Sequence, residues 1–354
     1  MSWSCGIVGL PNAGKSTLFK AITALDVTIE SYPFSTIDPN KAVVSLPDRR
    51  LPALAELSSA VKVTPATIEI TDVAGLVKGA SRGEGLGNQF LGHLRNVDLL
   101  IHVVGGYNRQ EENNETTMEK LGTVNFELCL ADIEVIERRR DKLEPKAKSG
   151  DKKARSELNL LVKTHDYLNR GMMLSGVSFS DEEADFLAGL SLLTRKKIIY
   201  VYNTDEDSLF NPDLSGFHEN EEVIPICASL EAELAELPEE DKKVFLDAYG
   251  MQSSRIDELL DRCFKMLDLA VFYTIKGSET RAWVVPSGMA AVKAAGKVHT
   301  DMERGFINVE VIPWHILLAS GSISRARERG LCRTEGRDYP VEDGDVLFFR
   351  FRSD

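Results

Sequence analysis

With 354 residues, 43% of them apolar, the chain predicts a soluble globular protein with two or three hydrophobic cores rather than one. Its formal charge of −13 argues against a general nucleic-acid coat, and no DNA partner is expected, because unspecific affinity for phosphate backbones needs an overall basic field. The longest apolar runs, such as residues 97–104, fall far short of the roughly 20 residues of a membrane span, so no membrane partner is expected.

The first element is a strand over Cys5–Val8. It leads into Gly9-Leu-Pro-Asn-Ala-Gly14-Lys15-Ser16, a match to G-x-x-x-x-G-K-[ST], and a helix continues from Thr17. Gly9 and Gly14 let the loop turn, so that backbone N–H groups across Asn12, Ala13, Gly14, Lys15, Ser16 and Thr17 face phosphate oxygens at a helix N-terminus. Lys15 is placed to reach the β- and γ-phosphates, and Ser16 to bind magnesium. A lysine after the last glycine, and no G-x-G-x-x-G, argue against a dinucleotide fold. With the loop beginning nine residues from the start, no leader fits ahead of it and a cytoplasmic location is expected.

Thr36, in Ser31-Tyr-Pro-Phe-Ser-Thr36, lies where a GTPase-like protein keeps a mobile loop whose threonine completes the magnesium shell. A second strand, Ala66–Ile70, precedes Asp72-Val-Ala-Gly75, a D-x-x-G that puts Asp72 near magnesium and the Gly75 N–H near the γ-phosphate. Each signal is weak alone; in this order behind the phosphate loop they indicate a switch-type nucleoside triphosphatase. Leu76 stands where Ras-like enzymes hold a water-orienting glutamine, and leucine cannot polarise water. His102, inside a third strand over Leu99–Val104, reads as a packing residue, which leaves the catalytic group unassigned.

Apolar residues then recur at helical spacing, first Leu128, Ile133, Ile136 and Leu143, then Leu158, Leu161, Val162 and Leu168, around Pro145 and Gly150. This predicts an inserted helical hairpin. Its tip, residues 138–155, carries nine basic and three acidic side chains, a net +6. A solvated face is the ordinary reading of such charge, and contact with RNA phosphates is the functional one, for which charge reversal at Arg139, Lys146 and Lys152 is the probe. After a fourth strand, Ile198–Tyr202, Asn203-Thr-Asp-Glu206 has the spacing of the guanine reader N-K-x-D, with Thr204 and Glu206 in place of lysine and aspartate. That reader's carboxylate accepts from guanine N1–H and N2–H2, groups adenine lacks, and the spacing leaves the base open. Ser229 and Leu230, in the loop after a further strand, are expected to give backbone contacts to the base. From about Leu269 short alternating strands predict a small α+β domain. Five scattered cysteines and six histidines without ligand spacing suggest neither a disulfide framework nor a transition-metal site.

Together, Gly9–Thr17, Ser31–Thr36, residues 72–81 (Asp-Val-Ala-Gly-Leu-Val-Lys-Gly-Ala-Ser) and Asn203–Glu206 resemble the motifs of the Obg-like ATPase (YchF) family of P-loop NTPases. The likeness continues through Ala228–Leu237, Arg281–Pro286, His299–Phe306 and Asp343–Asp345 to a C-terminal TGS domain. The resemblance implies an α/β fold: a P-loop NTPase (GTPase-like) domain over 1–127 and 195–268, an inserted hairpin over 128–194 and a β-grasp TGS domain over 269–354. It also implies ATP preferred over GTP, with Asn203 and Glu206 at the base, and association with the ribosome or ribosomal RNA. The family carries a hydrophobic residue at the Leu76 place and resembles enzymes that recruit another group, including a histidine after the third strand; here no histidine occurs between His102 and His165. The expectation is a magnesium-dependent, slowly hydrolysing switch, with a partner or a monovalent cation such as potassium near Asn12 completing catalysis. The alternative is a nucleotide-gated binding module, for ATP or GTP, in which hydrolysis only resets binding to RNA or protein.

Overall fold

The structure is a computed structural model that describes residues 3–24, 40–72, 86–106 and 116–352. Thr36, Gly75 and Leu76 lie outside these segments. The chain forms two compact units, Met1–Val43 with Glu69–Ile256, and Val44–Ile68 with Asp257–Asp354.

The strands up to residue 226 are β1 (Ser4–Val8), β2 (Lys41–Ser45), β3 (Lys62–Thr64), β4 (Thr67–Asp72), β5 (Leu99–Gly105), β6 (Lys197–Asn203) and β7 (Val223–Ile226). All but β3 form one sheet in the order β2-β4-β1-β5-β6-β7, and β4, β1, β5, β6 and β7 pair in parallel. Every residue of β1 and β5 is buried, which is why both read as continuous apolar runs without alternation. Parallel strands present their carboxyl ends on one edge, and there the chain leaves β1 into the phosphate loop, reaches Asp72 at the end of β4, and ends β6 on Asn203.

The helices up to residue 266 are α1 (Lys15–Ala24), α2 (Arg50–Ser58), α3 (Leu86–Arg95), α4 (Thr117–Lys148), α5 (Lys152–Asn169), α6 (Asp181–Ala188), α7 (Ala228–Glu236), α8 (Glu239–Ala248) and α9 (Arg255–Met266). A capping box between Thr116 and Glu119 starts α4, and Asp151 caps α5 by accepting from the Lys153 and Ala154 N–H groups. The predicted boundary at 128 falls inside α4, because Val124, Leu128 and Ala131 pack with Val8, Leu94 and Leu100 before the helix runs on into the hairpin. Within the hairpin, Leu161 and Leu168 are buried as expected, but Val162 is 48% exposed. The inward stripe of α5 is Ala154, Leu160, Leu161, Thr164 and Leu168, and Thr164 is tolerated there because its hydroxyl donates to the Leu160 carbonyl at 2.8 Å. The root of the hairpin is held by Asp132, which is fully buried. It accepts from the backbone N–H groups of Leu193 (3.0 Å) and Thr194 (2.8 Å), the Thr194 hydroxyl (2.8 Å) and Arg95 (2.9 Å).

In the second unit, β8 (Leu269–Lys276), β9 (Glu279–Pro286), β10 (Phe306–Pro313), β11 (Arg333–Glu335) and β12 (Asp345–Phe351) join β3 in a sheet of order β11-β10-β12-β8-β9-β3. Pairs β8/β9 and β10/β12 are antiparallel, whereas β12 lies parallel to β8, the arrangement of a β-grasp. Phe272, Val285, Val309 and Leu347 form its core with Ala291 and Ala295 of α10 (Ala291–Val298). The segment expected to belong to the nucleotide domain, Val44–Ile68, groups with this unit instead. β3 pairs with β9 over Lys62–Thr64, Arg50 bridges Asp48 (2.8 Å) and Asp343 (2.6 Å), and the Tyr273 hydroxyl donates to Asp48.

Candidate nucleotide site

The phosphate loop owes its shape to two glycines and one asparagine. Gly9 has φ +152°, and a Cβ there would lie 2.3 Å from the Val103 carbonyl oxygen, so no side chain fits. Asn12 and Gly14 also have positive φ, at 61° and 94°. Lys15 opens α1, is 7% exposed, and donates from Nζ to the Leu10 carbonyl at 2.7 Å, which folds the side chain back along its own loop. Burial holds its pKa below the usual lysine value, and the nearby Asp72 carboxylate only partly offsets this. Asp72 shows the mirror image: burial raises its pKa, opposed by Lys15 and by the Ser16 hydroxyl, which donates to Oδ2 at 3.4 Å. Its other oxygen, Oδ1, is buried with no hydrogen-bond partner among the described residues.

A desolvated ammonium and a half-satisfied carboxylate are costly when left to themselves. An anion at Lys15 and a hard cation at Asp72 and Ser16 would relieve both. Among the described residues no group of three or more His, Cys, Asp or Glu side chains could cage a metal. Two protein oxygens fit magnesium, which takes the rest of its shell from phosphates and water.

The base side is arranged by backbone hydrogen bonds. Asn203 is 5% exposed; its Nδ2 donates to the Ala13 carbonyl at 3.0 Å, and its Oδ1 accepts from the Ala228 N–H at 3.0 Å. It therefore ties the phosphate loop to the start of α7, and these two bonds leave one amide N–H and one oxygen lone pair unused. Thr204, where a lysine would lie over the base, is 3% exposed and cannot cover one. Glu206 is exposed, within 3.5 Å of the Tyr249 hydroxyl. The Leu230 side chain is buried with Leu209, Cys227 and Leu234, so Leu230 and Ser229 can offer a base only first-turn N–H groups or the Ser229 hydroxyl, which lies 3.3 Å from the Cys227 sulfur.

Asn12–Thr17, Asp72, Asn203, Glu206, Ser229 and Leu230 thus follow the ends of β1, β4, β6 and β7, while Thr36 and Gly75 fall outside the described residues. His102 is 1% exposed within β5, and burial pushes its pKa down to about 3, so it is neutral and sealed from solvent. Tyr249 was not foreseen: it lies 43 residues beyond Glu206 in no motif, and only the fold brings the two together.

A phosphate loop on the carboxyl edge of a parallel sheet, with an aspartate ending the adjacent strand, places the molecule among the GTPase-like P-loop proteins. A family model described as 50S ribosome-binding GTPase matches residues 4–132, and the C-terminal model of the YchF GTPases, described as a protein of unknown function, matches 269–352. The Bacillus subtilis protein named Ribosome-binding ATPase YchF is 42% identical over 364 residues, covering 99% of this chain and 100% of that one. The Escherichia coli O157:H7 protein of the same name is 40% identical over 361 residues, covering 99% of each. The structure titled as the Schizosaccharomyces pombe YchF GTPase superposes with a TM-score of 0.88 at 30% identity, covering 99% of this chain and 98% of that one. The chain belongs to the YchF family. No helix among the described residues is long and apolar enough to cross a membrane.

Proposed function

We propose that the chain is a magnesium-dependent, cytoplasmic ATPase of low intrinsic turnover that associates with ribosomes according to its nucleotide state. The observation that carries this reading is the buried Lys15 near the half-buried Asp72, whose Oδ1 has no hydrogen-bond partner among the described residues; a phosphate at the first and a cation at the second would satisfy both. The two bacterial relatives are named ATPases and the fission-yeast structure a GTPase, so the names divide on the base. Glu206 in place of aspartate and a buried Thr204 in place of lysine favour adenine, since the site lacks two parts of the guanine reader.

The chain's own groups would act as follows. Lys15 and the loop N–H groups hold and orient the β- and γ-phosphates, with the N-terminus of α1 adding positive potential. Ser16 and Asp72 complete the polar set together with Thr36 and Gly75, the two residues that the sequence motifs assign to magnesium and the γ-phosphate. Magnesium, when bound, neutralises charge on the phosphate oxygens. Neither residue weighed for orienting the attacking water can do so: Leu76 is apolar, and His102 is buried and neutral. The missing charge is assigned to the ribosome or to a potassium ion beside Asn12. Single-turnover hydrolysis with and without ribosomes, in potassium and in sodium buffers, tests this. Slow turnover alone and acceleration by either addition is expected; the isolated protein reaching the ~1–100 per second typical of kinases in sodium would refute it.

The same incomplete catalytic set favours a second reading, in which hydrolysis only resets binding. A variant that binds ATP but does not hydrolyse it would then still load onto ribosomes.

The hairpin tip is the proposed RNA contact. Lys142, Lys146, Lys152, Lys153 and Arg155 are exposed and outside the ion pairs that engage Arg138 and Lys148. Arg139 is a poor probe, because it lies 3.9 Å from Glu157 and over the Phe186 ring. Reversing Lys142, Lys146 and Lys152 to glutamate should weaken ribosome co-sedimentation and lower its log–log salt slope by about 2. An unchanged slope would remove the hairpin from the interface.

A further inference from the structure

We propose that Tyr249 sets the base preference of the site by donating to one oxygen of Glu206, so that the carboxylate meets a purine edge with one oxygen fully available and the other partly covered. The inference rests on the ATP reading above and supplies its specificity element. The Tyr249 hydroxyl lies 3.5 Å from Glu206 Oε2 and is the donor of the pair. Its ring does not swing freely: it stacks on Phe245 at 4.6 Å between centroids and 14° between planes, and on Phe210 at 6.4 Å and 25°. Its backbone N–H donates to the Phe245 carbonyl at 3.1 Å, fixing the chain where α8 ends.

The consequence follows from the purine edges. Guanine offers two adjacent donors, N1–H and N2–H2, and needs two parallel acceptors to use both. Adenine offers one donor group, the N6 amine, and needs only one. A carboxylate with one oxygen already accepting from a phenol is a weaker, partly covered acceptor on that side. It keeps what adenine uses and gives up half of what guanine uses. Buried Thr204 deepens the effect, because it offers the base no covering side chain that could compensate guanine.

The test uses the full-length chain with magnesium and measures ATP, GTP and ITP by competition against a fluorescent ATP analogue. Inosine has the N1–H of guanine without its 2-amino group. Unmodified protein should bind ATP most tightly and GTP no better than ITP. In Tyr249→Phe, which keeps the ring stack, GTP should gain on ITP and the lead of ATP over GTP should shrink about tenfold, with an unchanged melting temperature. An ATP:GTP ratio indifferent to Tyr249→Phe would overturn the inference while leaving the ATP reading standing. Should that variant not fold, unmodified protein binding GTP about tenfold tighter than ITP would overturn it alone. Unmodified protein that prefers GTP over ATP would sink the ATP reading and this inference with it.

Discussion

Lys15→Ala is expected to remove triphosphate binding almost completely while leaving the melting temperature of the nucleotide-free protein nearly unchanged. The two effects separate because Lys15 is desolvated in the free protein, with burial holding its pKa down and its ammonium donating to the Leu10 carbonyl. Its removal relieves that cost but takes from Asp72 the cation that lowers its pKa, so the carboxyl should move further up. The net change in folding stability is therefore small. Binding has no such compensation. Truncating one partner of a buried charge pair costs about 2–5 kcal/mol, or roughly one and a half to three and a half orders of magnitude in affinity. Equilibrium titration with ATP, paired with thermal melting without nucleotide, checks both halves. A loss of binding that came with a large drop in melting temperature would mean that Lys15 holds the fold rather than the phosphates.

Asp132→Ala should be the most destabilising single change in the nucleotide unit. The carboxylate is fully buried and accepts from two backbone N–H groups, one hydroxyl and the Arg95 guanidinium, joining α3, α4 and the turn before β6. Removing it leaves two N–H donors unsatisfied and a guanidinium without its anion. The expected cost is about 3–5 kcal/mol, placed at the lower end because Arg95 keeps 20% of its side chain in solvent. For a unit of this size that is on the order of ten degrees of melting temperature. Asp132→Asn, which keeps the shape and one acceptor, should fall between. Urea denaturation gives the comparison, and an alanine variant within about 1 kcal/mol of the parent would rule out the hub.

Motifs whose spacing fixes backbone geometry were legible from residues alone. Gly9 to Ser16 could be placed on a strand–loop–helix because the loop dictates its own conformation, although the contact that forbids a side chain at Gly9, the Val103 carbonyl, comes from a strand nearly a hundred residues away. The segment Val44–Ile68 was not legible. Its β3 has three residues, exposes Val63, and finds a partner more than two hundred positions on, so no local pattern announces it. Asn203 was expected at the base from its motif, yet the fold gives it two backbone bonds first. The face of α5 was misread at Val162 because Thr164, a polar residue satisfied within its own helix, takes the inward place.

The most direct measurement is competitive binding of ATP and GTP to the purified full-length chain, with magnesium present and after its chelation. ATP bound more tightly than GTP, with both weakened when magnesium is withdrawn, is the expected result. GTP bound more tightly, or ATP affinity indifferent to magnesium, would contradict it.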